Sequence, residues 1–159
     1  MNKINLTSLE LKTFTEQDAL DYCQLNNINP LDINELDLSW NKLTDVSGIK
    51  LFKNLEELYL YNNNKIKNIS ILKNLIKLKI LDISSNPIKN ISVIQYLTEL
   101  KILDIGYLEL KSDQIQYINS LNNLEELWCD YGFKDMDITD KLNKNIEIRL
   151  EDLDIKINQ

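Results

Sequence analysis

Two aspartates, Asp82 and Asp104, stand in identical contexts, the LDI triplets 81–83 and 103–105. Carboxylates brought side by side can share a proton or hold a hard cation. Little else in the chain could support them. Histidine is absent, which removes the commonest general base and the commonest transition-metal ligand together. Cys23 and Cys129 form no Cys-x-x-Cys motif and have no basic neighbour in sequence. Gly48, Gly106 and Gly132 occur singly, so no loop can cradle a phosphate. Without a further base or ligand, the aspartates read as members of an acidic surface. The sequence predicts a protein that is not an enzyme and carries no metal and no cofactor.

The formal net charge is −7, from 18 basic and 25 acidic residues. Nucleic-acid affinity comes largely from Lys and Arg neutralising phosphates, so this balance argues against a nucleic-acid partner. It suits a protein partner with a basic surface. The start MNKINLTSLELKTF has no apolar h-region, and no stretch approaches the ~18 apolar residues of a membrane span. A cytoplasmic protein with reduced thiols, monomeric on its own, is the expectation.

What positions the aspartates is a repeat. INELDLSWNKL (33–43), LEELYLYNNNKI (55–66), LKILDISSNPI (78–88) and LKILDIGYLEL (100–110) share one template. Two weaker copies follow, LEELWCDYGF (124–133) and NIEIRLEDL (145–153). The paired apolar positions are Leu36/Leu38, Leu58/Leu60, Leu81/Ile83, Leu103/Ile105, Leu127/Cys129 and Ile148/Leu150. Their second members are separated by 22, 23, 22, 24 and 21 residues, by subtraction. In such a pair both apolar side chains point inward from a short strand, and the flanking residues point out. Asn41, Asn64 and Asn86 fall where the chain must turn away, and an amide there can bond open backbone groups. One repeat cannot bury its own apolar face, so stability must come from stacking neighbours.

The template resembles the leucine-rich repeat in its short form, most closely the repeats of bacterial internalins and of phosphatase regulators. The resemblance covers roughly 33–153 and implies an α/β solenoid. The expected horseshoe has a parallel concave sheet and a mostly extended or 3-10 convex side. An extra residue at Asn62-Asn63-Asn64 predicts a bulge, and Leu108 and Gly132 replace the expected Asn, so the C-terminal third should be less regular. Ser112 is the expected N-cap of a true helix near 112–121, with Ile115, Ile118 and Leu121 on its inner face. The division expected is an N-terminal cap over 1–32, about six repeats over 33–153 and a tail over 154–159. The cap should contain a helix near 15–26 with Thr15 and Asp18 in a near capping box, covering the open face of the first repeat. The alternating IEIRLEDLDIKI should close the other end. Cys129, at an inward position, and Cys23 both read as core residues.

Register assigns eighteen residues to the concave face, before, between and after each apolar pair. Nine are acidic, whereas an even scatter of 25 acids over 159 residues gives about three. Aromatic residues join them on the sheet and one residue beyond it. The expected partner-binding set is Glu35, Asp37, Trp40, Glu57, Tyr59, Tyr61, Asp82, Asp104, Tyr107, Glu126, Trp128, Asp130, Tyr131 and Arg149. Exposed aromatics ringed by charge are the stuff of interface hot spots. Lysines are absent from the eighteen positions and fall mostly in turns and convex segments. The expected function is to grip a basic protein, as an inhibitor or toxin-neutralising immunity protein. The resemblance also implies two alternatives: an adaptor for an enzyme such as a phosphatase, or an adhesion domain of internalin type.

Overall fold

The computed structural model describes residues 2–134, 141–142 and 146–150. Among them, seven parallel strands form one sheet in chain order: β1 (Lys3–Asn5), β2 (Glu35–Asp37), β3 (Glu57–Tyr59), β4 (Ile80–Asp82), β5 (Ile102–Asp104), β6 (Glu126–Cys129) and β7 (Glu147–Leu150). Each strand is short because only the L-x-L triplet alternates. Leu36, Leu58, Leu81, Leu103 and Leu127 align across the sheet and are fully buried. Their partners Leu38, Leu60, Ile83, Ile105 and Cys129 fill the next layer. The architecture is the expected leucine-rich-repeat solenoid.

The convex side returns through five-residue 3-10 turns, Ser47–Leu51, Ser70–Asn74 and Ser92–Tyr96. The triplets DVS, NIS and NIS start them. Asp45, Asn68 and Asn90 each accept the N–H of the serine two residues on, at 2.7–2.8 Å. Ile49, Leu72 and Ile94 then point into the core, which the turns close over.

One strand was not anticipated. Ile4 and Leu6 are buried like the later pairs, and β1 aligns Ile4 with Leu36. The stretch KINL is a repeat strand whose follow-on lacks Asn, so the template search passes over it. Lys3 therefore joins the sheet face, and lysine is not wholly absent there. Helix α1 (Glu16–Leu25) begins with the full capping box, in which the Thr15 side chain accepts the Asp18 N–H and Asp18 accepts the Thr15 N–H. It covers not the open edge of β2, which β1 occupies, but the convex turn Ser47–Leu51. Gly48 is required at that contact: a Cβ there would lie 2.4 Å from the Thr15 carbonyl oxygen and 2.9 Å from Ala19 Cβ.

Two local expectations need correction. The turn amide of the second repeat is Asn63, fully buried, and Asn64 is exposed. The inserted residue follows the ladder position instead of preceding it, since only Asn63 keeps the three-residue spacing from Leu60. In the convex segment Ser112 does not cap a helix. It opens a 3-10 turn, Ser112–Gln114, that runs into the short helix α2 (Ile115–Asn119), and no side chain caps either. Ile115, Ile118 and Leu121 are buried as expected. Residues 135–140, 143–145 and 151–159, with Glu151 and the tail, lie outside the described residues.

Candidate partner interface

The sheet face has three columns. Before the apolar pair stand Lys3, Glu35, Glu57, Ile80, Ile102, Glu126 and Glu147, aligned by register. Between the pair stand Asn5, Asp37, Tyr59, Asp82, Asp104, Trp128 and Arg149. Beyond it come Tyr61 and Asp130 among small residues, with Ser39, Ser84 and Gly106 buried.

The aspartates carry a structural load that the sequence reading did not assign. Asp37, Asp82 and Asp104 each use Oδ1 to accept the N–H two residues on, from Ser39, Ser84 and Gly106, all at 2.9 Å. Each closes the end of its own strand, which is why D-x-S or D-x-G recurs. Asp82 and Asp104 are neighbours in register as expected. Asp130 is committed further. Its Oδ2 accepts the Tyr107 N–H at 2.8 Å and its Oδ1 accepts the Phe133 N–H at 3.0 Å, so it ties one repeat to the next. Among the described residues no three His, Cys, Asp or Glu side chains converge on one metal position.

The aromatic rim has its own backbone signature. The second residue past each of the first five apolar pairs is left-handed: Ser8, Trp40, Asn62, Ser85 and Tyr107 have φ between 53° and 58°. The N–H of Trp40 donates to the Tyr61 carbonyl and that of Ser85 to the Gly106 carbonyl, both at 2.8 Å, so the fold demands this conformation. Asn tolerates it comparatively cheaply, whereas a bulky aromatic costs of order 1 kcal/mol. Trp40 is nevertheless 48% exposed, and its ring meets Tyr61 edge-on with centroids 5.1 Å apart. Tyr107 occupies the same strained position two repeats beyond Asn62. Tyr131 opens helix α3 (Tyr131–Lys134), and its side chain lies outside the described residues.

Two aromatics on the sheet donate to the glutamate two residues before them. Tyr59 Oη lies 2.8 Å from Glu57 Oε2, and Trp128 Nε1 lies 3.3 Å from Glu126 Oε2. Burial, then the Glu57 bond and the carboxylates of Glu57, Glu35 and Asp37, raise the pKa of the Tyr59 phenol. It stays a neutral donor at every physiological pH. Arg149 sits over the Trp128 ring, 5.8 Å from its centroid, with Nη2 2.9 Å from Glu147 Oε1. Lys3 pairs with Glu35, and that contact raises the lysine pKa.

Away from the face, a cleft of about 830 Å³ lies where the strands begin, lined by Asn2, Tyr22, Asn27, Asn34, Asn54 and Lys77 among others. It is polar and contains none of the expected partner residues.

The family described as Leucine Rich repeats (2 copies) matches residues 32–74. No curated protein sequence matches the chain. The fold is similar to three solved internalin structures from Listeria monocytogenes. InlF is 28% identical at a TM-score of 0.58, over 77% of this chain and 31% of that one. Internalin C2 is 23% identical at 0.65, over 96% and 64%. The functional domain of InlJ, which includes a cysteine ladder, is 24% identical at 0.55, over 81% and 27%. The chain thus spans about a third or less of two of them and just under two thirds of the other. Among the described residues no helix is long and apolar enough to cross a membrane.

Proposed function

We propose that this chain, a solenoid whose fold is similar to that of internalins, is a protein-binding module whose concave face grips a basic protein. We further propose that it acts as an inhibitor that masks the partner's basic surface, as an immunity protein masks a toxin. The observation that carries the reading is the Trp40–Tyr61 pair. A large ring is kept half-exposed on unfavourable backbone at the far end of the strand that carries Glu35 and Asp37. Such rings contribute through desolvation at an interface centre, and the carboxylates would steer a cationic partner toward them. The likeness to internalins favours a second reading, an adhesion domain that binds a protein at a cell surface.

The test is capture of partners by the tagged chain from native lysate, at low and high salt. Trp40→Asn is the informative variant, because Asn accepts left-handed backbone and only the ring is lost. Asp82→Asn/Asp104→Asn removes charge while keeping an acceptor for the Ser84 and Gly106 N–H groups. One basic partner, lost in high salt and lost from both variants, is expected. Addition of the chain should abolish that partner's activity at one equivalent. A partner retained by both variants would place binding elsewhere, and a bound partner that stays active would refute inhibition.

A further inference from the structure

The sheet face is mirrored about the line between β4 and β5. The first column runs Glu35, Glu57, Ile80 and then Ile102, Glu126, Glu147. The second runs Asp37, Tyr59, Asp82 and then Asp104, Trp128, Arg149. The ion pairs just outside obey the same mirror, Glu56–Lys79 on one side and Lys101–Glu125 on the other. In each half, an aromatic on the second column donates to the glutamate beside it, as described above.

One half shows what such an arrangement holds. Over Trp128 the Arg149 guanidinium lies 5.8 Å from the ring centroid, with Nη2 2.9 Å from Glu147 Oε1 and Nε 3.7 Å from Glu126 Oε2. The mirror breaks at a single position of the second column, where Asp37 stands opposite Arg149. The N-terminal half therefore repeats the ring and its two glutamates, adds a third carboxylate, and supplies no arginine of its own. The cation that pairs there among the described residues is Lys3, on Glu35.

We propose that Tyr59, flanked by Glu35, Asp37 and Glu57, binds an arginine side chain presented by the protein partner. The proposal rests on the reading of the concave face as the partner surface and names what that surface selects. Guanidinium suits it better than ammonium. It is planar, so it can stack on Tyr59 while its fork reaches carboxylates on two strands ~4.8 Å apart. A lysine would bring the same charge near Lys3 without the planar stacking or the two-carboxylate fork. The half-buried Ile80 and Ile102 lie next along the first column. An apolar neighbour of that arginine would rest there.

The experiment titrates the chain with N-acetyl-arginine methylamide, following the Tyr59 ring and the Trp128 indole by NMR. The lysine and citrulline analogues are the controls, citrulline being the neutral isostere. In the wild type the arginine probe should shift Tyr59 saturably and leave Trp128 unmoved. The lysine probe should bind several-fold more weakly, and citrulline should do nothing. Glu35→Gln/Glu57→Gln should weaken the arginine response by about tenfold. Arg149→Ala should create a second site, reported by Trp128. A silent Tyr59, an equal response to citrulline, or a silent Trp128 in the Arg149→Ala protein would each overturn the proposal. If Tyr59 ignores arginine while Trp40→Asn still loses the captured partner, the arginine cradle falls and the concave interface stands.

Discussion

The repeats up to β4 and those from β5 onward solve one problem in two ways. In the first group, a buried amide spans neighbouring turns. Asn41 Nδ2 donates to the carbonyls of Leu6, Leu38 and Ser39, while its Oδ1 accepts from the N–H groups of Leu9 and Leu11. Asn63 does the same between Leu38, Leu60 and Leu43. Past β5 the rung is Leu108, which can only fill space, and the cross-repeat bonds pass to other side chains. Asp130 takes the Tyr107 N–H, and Gln114 reaches from the convex side to the Ile91 N–H at 3.0 Å. A continuous ladder locks register one repeat at a time. Scattered substitutes secure only the bonds they happen to reach. The first half should therefore be the less tolerant of substitution at equivalent positions.

The largest test is at the rungs. Asn41→Leu leaves up to five backbone groups without their partner and should cost about 4 kcal/mol. Leu108→Ala, at the same repeat position, loses only apolar contact and should cost roughly 2–3 kcal/mol. Denaturation midpoints of the two proteins measure the difference, and equal costs would dissolve the contrast.

The glycines give the next effect. Gly48→Ala forces a methyl against the backbone of Phe14 and Thr15 and should cost about 3 kcal/mol by displacing α1 from its turn. The nearest atom to a Cβ at Gly132 is 3.0 Å away and belongs to the Asp130 side chain, so Gly132→Ala should cost about 1 kcal/mol. Thermal unfolding would separate them.

A smaller effect should have the opposite sign. The extra residue after Asn63 folds the turn onto itself, so the Lys65 and Ile66 N–H groups both donate to the Asn63 carbonyl. In the repeat before, Leu43 donates instead to the next rung, Asn63 Oδ1. Among the described residues Asn86 Oδ1 consequently has no hydrogen-bond partner. Deleting Asn64 should return the Ile66 N–H to it and raise stability by about 1 kcal/mol. A loss of stability on deletion would show that the bulge is needed.

The smallest effect concerns acid. The N–H and then the hydroxyl of Thr15 hold the Asp18 carboxyl below its ordinary pKa. A lowered carboxylate contributes stability that is present above the unfolded value, about pH 4, and fades as pH falls through the folded value. Asp18→Asn should therefore be less stable than the wild type at pH 6, and the gap should close towards pH 3. The Asp18 side chain is exposed, so the gap is small. A gap independent of pH would assign the cap to geometry instead of charge.

How far the sequence was legible depends on whether a signal repeats. The L-x-L pairs recur six times in one register, and that specified which residues face out, while the parallel sheet was what the resemblance to leucine-rich repeats implied. The Asn rung repeats only three times, and the NNN run hid which amide was inward. Only spacing from Leu60 picks out Asn63. Strand β1 carries the apolar pair without the Asn, and a template weighted on both passes over it. The candidate face was located by the same periodicity, but its division of labour was not. Nothing in a string of letters distinguishes Asp130, with both oxygens on backbone N–H groups, from Glu57, which bonds a neighbouring phenol.

What the sequence determined by itself is therefore a stack of repeats, because an apolar pair recurring every 22 residues or so can be buried only against its neighbours, and the resemblance to leucine-rich repeats made that stack a solenoid. It also determined the acidic and aromatic character of the exposed face, since alternation fixes which side chains point out. Tertiary structure decided which polar groups are already committed. Hydrogen bonds between repeats join residues 20 to 35 positions apart, and their partners are set only when the repeats stack. It also decided that Trp40 and Tyr107 sit on left-handed backbone, a conformation imposed by bonds to the next repeat and not by local propensity.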